Sequence, residues 1–91
     1  MAEDATSVGT NQVLMELAAE RARQVLQHGR TPDQDDQRTI EAWAHLLLRR
    51  AVDLSSPFKA MVGDDDRRLL LEIAAISVAA IEALDRRSDG A

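Results

Sequence analysis

The sequence predicts an all-α fold: a compact bundle of three main helices and one short helix, paired with a second copy as a dimer. Three observations predict it. Apolar residues recur at helical spacing in three long segments. The apolar set is mostly Leu, Ala, Ile and Val, with Trp43 and Phe58 the only aromatics, which suits closely packed helices. Gly, Pro and Asp clusters separate the segments, as helix ends require. Residues 1–10 are expected to form a disordered acidic tail, residues 11–87 a single helical domain, and residues 88–91 a second short tail.

The first helix is expected from about Asn11 to His28. Val13, Leu14, Leu17, Ala18, Ala22, Val25 and Leu26 make one apolar stripe, and Gly29 can close the helix in the left-handed conformation. Thr31-Pro32-Asp33-Gln34 fits a capping-box start and predicts a short turn. Asp35 or Asp36 is then expected to cap a second main helix, from about Gln37 to Leu54. Its stripe is Ile40, Trp43, Ala44, Leu47, Leu48, Ala51 and Leu54. Ser55-Ser56-Pro57 breaks that helix, and a short one from about Pro57 to Val62 is closed by Gly63. The last helix is expected from about Asp66 to Arg87, with acidic residues at its start and Arg86-Arg87 at its end, both matching the helix dipole.

That last helix has one narrow polar stripe: Asp65, Arg68, Glu72, Ala75, Ala79, Glu82 and Arg86. Nearly everything else from Leu69 to Leu84 is apolar, so the helix calls for cover on more than one side. Leu71, Ala74, Val78 and Ile81 are the expected surface for a second copy or another partner.

Net charge is −5, from 16 acidic and 11 basic residues, which disfavours direct contact with nucleic-acid phosphates. The chain has no Cys, so disulfides and thiolate metal sites are excluded. Met1 to Thr10 lacks the basic and apolar regions of a signal peptide, and no apolar run reaches the roughly twenty residues of a membrane span. A cytoplasmic location is the expectation.

No complete catalytic or ligand motif is present. Glu16 and Glu20, and Glu82 and Asp85, have the helical spacing from which carboxylates can share a metal ion. Pairing with neighbouring arginines explains the same residues: Glu20 with Arg23, Glu72 with Arg68, Glu82 with Arg86. His28 and His45 have no second His or Cys at ligand spacing. The clusters Asp35-Asp36 and Asp64-Asp65-Asp66 read as helix caps.

Several short runs carry a resemblance. They are Glu20-Arg21-Ala22-Arg23-Gln24, Gly29, Thr31-Pro32 with Asp35-Asp36, and a last helix opened by Asp66-Arg67-Arg68 and closed by Ile81-Glu82-Ala83-Leu84-Asp85-Arg86. Together they resemble a group of small helical proteins encoded by phages and prophages. Some of that group are similar to MazG-type all-α nucleotide pyrophosphohydrolases. Those enzymes hold Mg²⁺ with a Glu-Glu-x-x-Glu run and a Glu-x-x-Asp run. Here Glu82-Ala83-Leu84-Asp85 matches the second, whereas Glu16-Leu17-Ala18-Ala19-Glu20 keeps only the outer spacing of the first.

Two functions follow as expectations. The first is a non-enzymatic phage or prophage accessory protein that binds another protein, in its sharpest form an inhibitor of a host defence complex such as an anti-CRISPR. It needs no cofactor and acts in the host cytoplasm. Its acidic contacts would be Glu16, Glu20, Glu41, Asp64 and Asp65, facing a basic target surface. The second is a Mg²⁺-dependent nucleotide pyrophosphohydrolase, with Glu16, Glu20, Glu82 and Asp85 on the metal and Arg21 or Arg23 on phosphate.

Overall fold

A computed structural model describes residues 2–28, 32–63 and 65–90. Four α-helices follow in order: α1 (Ala2–His28), α2 (Pro32–Asp36), α3 (Ile40–Ser55) and α4 (Asp66–Gly90), with a 3-10 turn at Lys59–Val62 before α4. There is no strand among the described residues. Three long helices and an all-α architecture agree with the sequence expectation. Gly29, Thr31 and Asp64, expected in caps, lie outside the described residues.

The helix ends differ from expectation for physical reasons. α1 begins at Ala2, so residues 2–10 continue the helix where a disordered tail was expected. Likewise α4 continues through Gly90, past the expected end at Arg87. α3 is capped by Thr39, not by Asp35 or Asp36: its hydroxyl accepts from the Ala42 amide at 3.1 Å. The two aspartates belong to α2, where arginines claim them. Gly63 closes the 3-10 turn with φ of 83°, a left-handed conformation that glycine adopts freely. Asp65 caps α4 as expected, its carboxylate accepting from the Arg68 amide at 2.8 Å.

α4 is central, and α1, α2 and α3 each pack on it. Arg50 of α3 reaches Glu72, while Trp43 packs with Ile76, Ala79, Ala80 and Ala83, so α3 runs antiparallel to α4. The apolar core sits there, under Trp43, with Leu46 and Leu47 at its edge. The small side chains of Ala79, Ala80 and Ala83 leave room for the indole. A cation–π contact completes the site, with the Arg38 guanidinium 5.4 Å from the Trp43 ring centre.

The orientation of α4 departs from the sequence pattern. The stripe read as its polar outer face contributes Glu72, Ala75 and Ala79 to the interior, at 5%, 0% and 1% exposure. Leu70, Ile81 and Leu84 point outward instead. α1 is turned the same way. Gln24 is buried and Glu20 and Arg21 are half-buried, while Leu14 and Leu26 are exposed. Gln24, Asp35 and Glu72 are therefore buried between the helices beside the apolar core.

Candidate functional site

Two charged clusters lie between the helices. The first centres on Glu72, whose carboxylate meets three arginines from three helices: Arg68 of α4 at 3.0 Å, Arg50 of α3 at 3.5 Å and Arg23 of α1 at 3.8 Å. Glu20 accepts from Arg23 at 2.8 Å and from Gln24 at 3.1 Å. Asp53 pairs with Arg50 at 3.3 Å. Three guanidinium groups thus meet three carboxylates, and the cluster has no net charge left to draw an anion. The hydrogen bond from Arg23 holds the Glu20 carboxyl below its usual range, and the same bond pushes the Arg23 guanidinium up.

The second cluster fastens α2 across the bundle. The Asp35 side chain is fully buried and bonds to Arg21 at 3.1 Å, with Arg38 at 3.7 Å. Arg21 also faces Glu82 at 3.6 Å. Asp36 takes a bond from Arg86 at 2.7 Å, and Arg87 donates to the Asp36 carbonyl at 3.0 Å. Sequence spacing alone suggested pairing of Glu82 with Arg86. The fold gives Arg86 to Asp36 instead, because α2 brings that aspartate to the end of α4.

The carboxylates suggested for a metal do not meet. Glu16 pairs with Arg67 at the start of α4. Glu82 lies fifteen residues further along that helix, about 22 Å at 1.5 Å per residue. Glu20 is engaged with Arg23, and Asp85 is exposed. Among the described residues no group of three His, Asp or Glu side chains could hold a metal ion. Arg21 and Arg23, suggested as phosphate contacts, are the partners of Asp35 and Glu20.

The acidic residues suggested as partner contacts are also divided. Glu16 and Asp65 lie near the start of α4, whereas Glu41 lies at the start of α3, which the antiparallel packing puts near the other end. Asp64 lies outside the described residues.

The suggested apolar surface is better assembled. Leu71, Ala74 and Val78 are half-buried and Ile81 is 57% exposed, all along one side of α4. Leu70 extends it, and Val13 of α1 lies exposed beside it, whereas Met15 lines a separate surface of α1 with Asn11, Gln12, Glu16 and Ala19. A groove of about 330 Å³ runs between the two helices, lined by Val13, Leu70, Leu71, Ala74 and Arg67. Leu70 was missed in the sequence and Val13 was read into the apolar stripe of the first helix, because only the packed α1–α4 pair shows which side of each helix is left over.

The architecture defines an all-α helical bundle with a small apolar core, buried ion pairs between its helices and exposed apolar residues on α1 and α4. The chain matches no family model, no curated protein and no solved structure. No helix among the described residues is long and apolar enough to cross a membrane.

Proposed function

We propose that the chain works by binding another protein, not by catalysis. One observation carries the reading: α1 and α4 leave Val13, Leu14, Leu26, Leu70, Ile81 and Leu84 exposed while Gln24 and Glu72 are buried. Exposed Leu, Ile and Val side chains on adjoining helices are the composition of a protein-docking surface. Among the described residues the interior charges pair with one another, and no group of three carboxylate or imidazole side chains could hold a metal ion. The expected pairing of two copies belongs to the same reading. So does the sharper form drawn from resemblance, a phage accessory protein that blocks a host defence complex.

The test is phage plating on bacteria that carry an active nucleic-acid-guided defence complex, with and without the protein expressed. The reading expects the protein to raise plating efficiency, and expects Ile81→Glu to abolish the rise. Release of pyrophosphate from a nucleoside triphosphate by the purified chain with Mg²⁺, lost in Glu82→Gln, would overturn it in favour of the hydrolase.

A further inference from the structure

We infer that α2 is a strap that opens by itself while the rest of the bundle stays folded, and that its opening changes the charge displayed at the C-terminal end of α4.

Composition is the first reason. Among the side chains described in α2 none is apolar: Asp33 and Gln34 are exposed, Asp36 is half-buried and Asp35 is buried. The core cluster of Trp43, Ile76, Ala79, Ala80 and Ala83 comes wholly from α3 and α4. Opening α2 therefore takes nothing from that cluster. A segment with little buried apolar surface lies at the low end of local stability, where opening precedes global unfolding. Five residues are also too few to hold a helix without tertiary contacts.

The second reason is what holds the strap closed. Arg21 of α1 donates to Asp35 at 3.1 Å, and Arg86 of α4 donates to Asp36 at 2.7 Å. Arg87 donates to the Asp36 carbonyl at 3.0 Å and to the Arg38 carbonyl just beyond α2. Separating such groups returns guanidinium and carboxylate to water together, and their hydration offsets most of the attraction lost. The neighbouring helix does not depend on the strap. α3 carries its own cap, the Thr39 hydroxyl on the Ala42 amide at 3.1 Å, so the chain is already divided between α2 and α3.

Opening has a defined consequence. Closed, Asp36 neutralises Arg86, and Arg38 lies over Trp43 with its guanidinium 5.4 Å from the ring centre. Open, Arg86 and Arg87 stand in water as an adjacent cationic pair, and Trp43 loses the cover of Arg38. Arg21 keeps a carboxylate in both states, because Glu82 lies 3.6 Å away. The strap thus switches the charge shown at one end of a chain whose net charge is −5.

Amide exchange of the full chain in low, non-denaturing urea tests this. The Gln37 and Arg38 amides report the strap, since they donate to the Gln34 and Asp35 carbonyls at 3.2 Å and 3.1 Å. The Ile76 and Ala80 amides, in the middle of α4, report the core. The strap amides should be protected, yet should exchange at least about tenfold faster than the core amides. Their rates should also depend little on urea, because opening exposes little surface. Ile76→Val thins the core without touching the strap. It should speed the core amides by about fivefold and leave Gln37 and Arg38 unchanged. Strap and core amides that share one rate and one urea dependence would overturn the inference. So would strap amides with no protection at all, or an Ile76→Val chain in which both sets speed up alike.

Discussion

Replacing Asp35 with Ala isolates the contribution of the buried ionic clasp. The Asp35 side chain has no exposure, and its main partner, Arg21, is 16% exposed. Removing one member of a buried pair strands the other and typically costs about 3–5 kcal/mol. Two features place this site at the lower end. Arg21 keeps a second carboxylate, Glu82, at 3.6 Å. Arg38, the other partner, is 29% exposed and can rehydrate. The expected loss is about 3 kcal/mol, a large share of the roughly 5–14 kcal/mol available to a chain of this size. With a urea dependence near 1 kcal/mol per molar, the unfolding midpoint should fall by about 3 M. Asp36→Ala is the matched control. Its pair with Arg86 is more than a third exposed on both sides, so its loss should stay within about 1 kcal/mol. Urea unfolding followed by circular dichroism measures both. Equal small shifts for the two variants would refute the claim that α2 is held by a buried charge pair.

Other expected outcomes follow from single contacts. Trp43→Ala empties the centre of the core and should cost about 3–5 kcal/mol in urea unfolding. Thr39→Ala removes the α3 cap and should cost about 1 kcal/mol, with lost helicity confined to the first turn of α3 by amide exchange. Gly63→Ala meets no atom within 4 Å, so its penalty should be only the positive-φ cost of about 1 kcal/mol in a thermal melt. Glu20 titrates below its ordinary value of 4.5, chiefly through the Arg23 hydrogen bond. A lowered carboxylate pKa gives stability that is present above that value and lost as pH falls through the folded-state pKa. Wild type and Glu20→Gln should therefore differ in urea midpoint at neutral pH and converge in acid; a constant difference would refute the assignment.

How much of this was legible in the sequence depends on the element. Helical periodicity placed the three long helices, because apolar spacing is local information. The faces were a different matter. α4 has apolar residues around most of its girth, so its pattern alone admits more than one inner face. Glu72 looked like a surface residue because the arginines that neutralise it, Arg23 and Arg50, come from other helices. Ala75 and Ala79 fell within the polar stripe, yet small side chains are what a crowded helix crossing selects. Asp35 looked like a cap for the same reason: nothing local reveals Arg21 waiting fourteen residues earlier. The suggested surface of Leu71, Ala74, Val78 and Ile81 was visible because it follows from excess apolarity on one helix. Its extension onto Leu70 and Val13 required knowing how α1 lies beside α4.

Which side of α4 faces inward is the point on which the account turns, and a thermal melt of two variants tests it most directly. Ala75→Gln forces a polar side chain into a site with no exposure, whereas Leu70→Gln alters a residue that is 53% exposed. The account predicts that Ala75→Gln melts well below wild type at every chain concentration. It predicts that Leu70→Gln keeps its helix content and melts close to wild type. An Ala75→Gln chain that melts like the wild type, beside a Leu70→Gln chain that fails to fold, would contradict it.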